Sequence, residues 1–169
     1  CIRDRILPDP RTDASVEDLQ ARFDFLQSVR DKVDETHDVI RHMRDTRSQI
    51  GALSVRLNEE AHAEVIATGK RLDSTMVAIE EVLYQNKLKS NQDMLNYPIR
   101  LNNKLAHVGS LASMGLYRPT EQMVGVRDDI TAQIDAQLAL WYALRDTEVP
   151  ALTALIRASD IDLIGVPED

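Results

Sequence analysis

Residues 83–105 read LYQNKLKSNQDMLNYPIRLNNKL, and the fold turns on how this stretch is read. Helical periodicity runs into it and out of it. Ser90, Asn91, Gln92, Asp93 and Asn96 make a polar loop within it, and Pro98 suits the first turn of the helix that follows, where its missing N–H costs nothing. The stretch also holds a cluster of side-chain amides and lies in the net-basic part of the chain.

Working outward, helix two precedes the break over about residues 60–88, with Ala61, Val65, Leu72, Met76, Ile79 and Leu83 facing inward. Helix one comes before it. Ser15 is a good N-cap, and Glu17 and Asp18 sit in the first turn, where the helix dipole favours negative charge. Its apolar positions are Val16, Leu19, Phe23, Leu26, Val29, Val33, Ile40, Met43, Ile50, Leu53 and Leu57, stepping by threes and fours. Unbroken, such a helix is about 60 Å long. Asn58, Glu59 and Glu60 supply the reversal between the two.

On the other side of the break, helix three is short and carries Ile99, Leu101, Leu105, Val108 and Leu111 up to Gly115. Thr120 can cap helix four, with Met123, Val126, Ile130, Ile134, Leu138, Trp141 and Leu144 inward. Pro150 is expected to kink or break it near residues 147–149. The expected fold is all-α, an antiparallel up-down-up-down four-helix bundle with long first and last helices. Residues 1–13, with Pro8 and Pro10, read as a linker from an upstream domain, residues 14–159 as the bundle and residues 160–169 as a tail, whose apolar part at 161–166 suits packing.

Composition agrees with one domain. The chain has 169 residues, 43% of them hydrophobic, enough to bury roughly two thirds of its unfolded surface. Aromatics are 4%, and Gly and Pro number six each, which favours helix over sheet. A net charge of −8 repels a phosphate backbone, which sets nucleic acid aside as a partner. No apolar run approaches the roughly 20 residues that cross a bilayer. The single cysteine, Cys1, cannot close an internal disulfide, and without an initiator Met the chain reads as a processed piece. A mature lipoprotein would also start at a Cys, although Ile2-Arg3-Asp4-Arg5 looks more like a strand end or linker.

Charge is uneven. Basic and acidic residues number 7 and 11 over residues 13–60, 5 and 1 over 85–118, and 3 and 10 over 119–169. Lys87, Lys89, Arg100, Lys104 and Arg118 can present a basic docking patch or an anion site, although balance against acidic neighbours within the molecule is the simpler reading. The amides Gln85, Asn86, Asn91, Gln92, Asn96, Asn102 and Asn103 can cap free backbone groups or bind a polar ligand such as a sugar, with capping the simpler role. Asn96, Arg100, Asn102, Asn103 and Lys104 are the candidate docking or polar-ligand surface.

Catalytic motifs are wanting: there is no Gly-rich phosphate loop, no nucleophile elbow and no His-Glu-x-x-His. Glu59-x-x-His62 and Asp34-x-x-His37 have the spacing of bundle metal ligands, but residues 98–115 contribute no carboxylate, so no metal and no cofactor are expected. His37, at an apolar position between Val33 and Ile40, reads as a hydrogen-bonded core residue, and His42, His62 and His107 as surface residues.

The runs DPRTDASVEDLQARFDFLQSVRDKVDETHDVIRHMRD (9–45) and AIEEVLYQNKLKSNQDMLNYPIRLNNKLAHVGSLA (78–112), with RPTEQ (118–122) and DDITAQIDAQLA (128–139), resemble the C-terminal helical region of bacterial sortilin-like β-propeller proteins, often labelled glycosyl hydrolases. The resemblance spans nearly the whole chain and departs most over residues 58–69. It implies a helical appendage that follows a propeller and a small β-domain in an exported, extracytoplasmic protein, with residues 5–13 as the exit from that β-domain. It transfers no catalytic residue. The expected role is therefore a non-catalytic accessory domain that docks on its own propeller or β-domain, on another protein, or on a second copy. A ligand- or metal-binding bundle and a stand-alone homodimeric coiled-coil scaffold are the alternatives.

Overall fold

A computed structural model describes residues 9–90, 92–159 and 161. The first eight residues of the expected linker, Asn91 of the polar loop and all of the expected tail except Ile161 lie outside the described residues. Helix α1 is Val16–Ser54, α2 Ala63–Leu83, α3 Leu101–Ser113 and α4 Glu121–Ala143, which continues through a π-helical turn, Leu144–Glu148, into α5, Val149–Ala158. Among the described residues there is no strand.

The ends of these helices follow from local chemistry. The Ser15 hydroxyl accepts from the Asp18 N–H at 3.1 Å, and the Asp18 carboxylate accepts in return from the Ser15 N–H at 3.3 Å, a reciprocal cap. Asn58 turns the chain after α1 by accepting from the Glu60 and Ala61 N–H groups at 3.0 Å each. Thr120 caps α4 through the Met123 N–H. Helix α2 is shorter than expected at both ends.

Packing corrects the direction of the helices. The all-α four-helix bundle is present, with its long first and last rods, but up and down do not alternate. Along α1, Ile50 faces Gly69, Arg47 pairs with Asp73 and Arg44 with Glu80. Farther toward the start of α1, His37 meets Asn102, Val29 faces Gly109, and the Arg22 guanidinium donates to the Ala112 and Ser113 carbonyls. As the α1 number falls, both the α2 and the α3 numbers rise, so α2 and α3 run the same way, end to end, against α1.

Helix α4 runs with α1: Arg127 reaches Ser28, Asp135 pairs with Lys32, and Tyr142 donates to Glu35. Arg71 of α2 pairs with Glu148 in the π turn. The result is three long rods with a split middle one, its two helices together spanning about 51 Å beside the roughly 58 Å of the 39-residue α1. Helix α2 covers the later part of α1, and α3 covers the earlier part.

The inward face of α1 also departs from expectation. Val16 and Phe23 are 70% and 57% exposed; Val29, Ile40 and Met43 are buried as expected, and Phe25 and Val39, which the seam had not included, are buried with them. Arg127 lies over the Phe25 ring at 4.9 Å. The stripe is broader than one seam because α1 contacts α2, α3 and α4. Thr36 is fully buried within it, and its hydroxyl donates to the Lys32 carbonyl at 2.7 Å. In α2, Val65, Leu72, Met76, Ile79 and Leu83 are buried as expected, while Ala61 is exposed and lies before the helix.

Pro150 does not break the last rod. Its ring presses toward the carbonyl four residues back and supplies no N–H, and the wider π turn just before it makes room while keeping the chain helical. Thr147 donates its hydroxyl to the Ala143 carbonyl at 2.6 Å inside that turn. Gly109 lets α3 approach α1 closely, because a Cβ there would stand 2.9 Å from Val29 Cγ1. Val29 is β-branched and cannot swing aside easily.

Glu80 is the polar group in the core with the most at stake. It is 2% exposed and accepts from Arg44 at 2.9 and 2.6 Å and from Arg47 at 3.2 Å. Glu80→Ala takes from Arg44 its carboxylate, leaves Arg47 only Asp73, and opens space in the core, so it is expected to cost about 3 kcal/mol in urea unfolding. Asp73→Ala removes only an exposed arm of the same network and is expected to cost under about 1 kcal/mol. Equal losses would show that burial of Glu80 is not what matters.

Candidate functional site

The segment between α2 and α3, residues 84–100, is where the middle rod breaks; it carries Asn96 and Arg100, and Asn102, Asn103 and Lys104 follow on α3. Its two ends are tied by Gln85, which is 5% exposed: its amide donates to the Pro98 carbonyl at 2.9 Å, and its oxygen accepts from the Lys87 N–H at 3.3 Å. This is the capping role expected of an amide. Pro98 stands before α3, not in its first turn, because it serves as this tie point and the helix begins three residues later, at Leu101.

Between the ties, Asp93 folds the connector. Its carboxylate accepts from the Lys89 N–H at 2.6 Å, the Ser90 N–H at 2.9 Å and the Ser90 hydroxyl at 3.0 Å. These bonds, the Lys89 N–H foremost, hold its carboxyl below the ordinary value of 3.8. A single 3₁₀ turn, Asp93–Leu95, follows. Leu95 projects from it at 91% exposure, with Tyr97 and Ile99 partly exposed nearby.

The five candidate residues do not form one surface. Asn96 is exposed in the connector and Lys104 is exposed on α3, but Asn102 is buried against α1 and Asn103 is half-buried. Consecutive positions on a helix point about 100° apart, which separates them. Arg100 is the half-buried residue before α3; its Nε is buried without a partner, and its side chain does not cap the helix.

Asn102 belongs to a polar chain across the bundle. Its amide nitrogen lies 3.1 Å from His37 Nε2, while its Oδ1 is buried without a partner. The half-buried His37 is thus a hydrogen-bonded bundle residue, as its position suggested. Its ring meets Tyr84 edge-on, with centroids 6.2 Å apart, and Arg44 lies over Tyr84 at 5.3 Å while binding Glu80. Histidine, aromatic, guanidinium and buried carboxylate therefore join α1, α2 and α3 where the middle rod is split. His62, expected at the surface, is half-buried before α2, with its Nδ1 lacking a partner.

The basic residues also separate. Arg118 pairs with Asp18 at 2.9 Å beside the start of α1, so it is balanced internally. Lys87, Lys89, Arg100 and Lys104 make no ion pair among the described residues, so internal balance does not extend to the connector. Two residues that matter here carried readable signals: Ser90-x-x-Asp93 is a side-chain-to-backbone turn spacing, and Glu80 falls on the same helical stripe as Met76 and Leu83.

Among the described residues, no three or more His, Cys, Asp or Glu side chains converge in a way that could hold a metal ion. Among the same residues no helix is long and apolar enough to cross a membrane. A scan against protein-family models found no match, and searches of curated proteins and of solved structures found none either.

Two outcomes follow. Asn102→Ala is expected to lower stability by about 1–2 kcal/mol through its lost bond to His37, whereas Asn96→Ala and Lys104→Ala should each stay within about 0.5 kcal/mol in thermal unfolding. The lowered Asp93 carboxyl stabilises the connector above its ordinary value of 3.8, and that contribution is lost as pH falls through the lowered value. NMR should therefore show the Lys89 and Ser90 amide protons keeping their shifts below pH 3.8 and moving at more acid pH, and Asp93→Asn should abolish the step. Amide shifts moving at an ordinary carboxylate pKa would contradict this.

Proposed function

We propose that this chain is a non-catalytic accessory domain that acts by docking, and that the connector between α2 and α3 is the surface it docks with. What carries the reading is the combination there of a 91% exposed leucine with partly exposed Tyr97 and Ile99, and of Lys87 and Lys89 without ion pairs among the described residues; Lys104, likewise without an ion pair among them, follows on α3. Apolar side chains beside unspent cations suit a partner face that is apolar at its centre and acidic at its edge.

The partner is, on this reading, the upstream β-propeller and β-domain of the same polypeptide in an exported, extracytoplasmic protein. That rests on the likeness of residues 9–45 and 78–112 to sortilin-like proteins. A docked arrangement needs no chemistry from the bundle itself, only a stiff rod that holds the connector at a fixed height.

The test begins with the coding sequence upstream of Cys1, where a secretory leader and several short β-strand repeats are expected. Lysine cross-linking of the intact polypeptide should then join Lys87, Lys89 or Lys104 to those upstream domains. Lys87→Glu with Lys89→Glu should weaken binding of the separately produced upstream part about tenfold or more, with helix content unchanged. A frame that opens just before Cys1, or cross-links that run from Lys32 and Lys70 but not from the connector, would overturn the proposal.

A further inference from the structure

Leu95 is a large apolar side chain left 91% exposed on a turn that backbone bonds close. The Leu95 N–H donates to the Gln92 carbonyl at 3.1 Å, and the Asp93 carbonyl accepts from the Asn96 and Tyr97 N–H groups at 3.0 and 2.9 Å. Before the turn, the Asp93 carboxylate holds the Lys89 and Ser90 N–H groups, and Gln85 ties the start of the connector to the Pro98 carbonyl. The backbone that carries Leu95 is thus fixed on both sides. A contact made by a residue already held in place loses little conformational entropy on binding, which is the property of an anchor.

Shape decides what such an anchor fits. A leucine standing out from a single 3₁₀ turn is convex, and it loses most contact with water where a pocket of the partner encloses it, more than against a flat apolar face. Lys87 and Lys89 precede it in the connector and make no ion pair among the described residues, which suits carboxylates around the mouth of that pocket. A lipid surface is the other seat that an exposed leucine among lysines fits. Two charges count against it: Asp93 lies in the same turn, and the chain as a whole carries −8, which anionic headgroups repel.

We infer that Leu95 is the anchor of the connector, and that its seat on the partner is a leucine-sized apolar pocket with a carboxylate rim. The anchor rests on the docking proposed for the connector, and adds which side chain carries the contact and what shape receives it.

The full chain is titrated with the separately produced upstream part, beside the lysine variants. Leu95→Ala is expected to bind about thirtyfold more weakly, Leu95→Met within about threefold of the native chain because side-chain volume is kept, and Leu95→Trp about tenfold more weakly because the pocket is too small for it. Helix content should stay unchanged in all three, since so exposed a side chain supports little packing. If Leu95→Ala binds like the native chain while Lys87→Glu with Lys89→Glu binds weakly, the anchor is overturned and the docking stands. Equal or tighter binding by Leu95→Trp overturns the pocket in favour of a flat face. Vesicles of phosphatidylglycerol and phosphatidylcholine should not sediment the chain; sedimentation that Leu95→Ala abolishes would replace the protein seat with a lipid one. If no upstream part is encoded, or if neither the Leu95 nor the lysine variants weaken binding, the docking falls and the anchor falls with it.

Discussion

A carboxylate removed from water must be met by cations, and Glu80 is met by two that stand three residues apart on α1. That demand sets how α2 lies. With Arg44 and Arg47 both on Glu80, and Arg47 also on Asp73, α2 has one register against α1 that leaves no charge stranded. The end of α2 is thereby placed beside Ile40 and His37, well short of the start of α1. The remaining length of α1 still has an apolar face, including Phe25 and Val29, that must be covered. Helix α3 covers it, entering where α2 stops and continuing in the same direction.

The split middle rod follows from this and explains the connector. Two helices end to end cannot be joined by a tight turn that reverses the chain, so residues 84–100 leave the bundle and re-enter it. Gln85 and Asp93 hold that segment in shape by satisfying backbone groups, while Tyr84 packs against the core and Leu95, Tyr97 and Ile99 stay at the surface. Leu95, Tyr97 and Ile99 are exposed because the path of the backbone gives them nowhere else to go.

Much of this was legible in the residues, and what was not has identifiable physical causes. Helix class, the caps at Ser15 and Thr120, the Asn58 turn and the buried face of α2 depend on neighbours within one or two turns, and periodicity reports such neighbours well. Direction does not have that property. A polar break of seventeen or so residues is compatible with reversal or continuation, and the choice is made by pairs such as Arg44–Glu80 and Arg22–Ala112, which lie far apart in the chain. Phe23 and Phe25 are equally apolar, and which ring is covered depends on where the other helices, with Arg127 of α4 among them, lie against α1. The five candidate surface residues shared a stretch of sequence but not a face, because α3 begins among them and turns Asn102 inward while leaving Lys104 outside.

Some of the ion pairs in this molecule stand where helices meet. Arg118, Lys32, Arg71 and Arg47 each join two helices or a helix and its neighbouring turn, and each has its carboxylate. Such pairs contribute little individually when exposed, but together they favour one arrangement of the rods. The charges left over then carry different information. Lysines on the connector stabilise no helix contact, and the energetic cost of changing them within the fold is small.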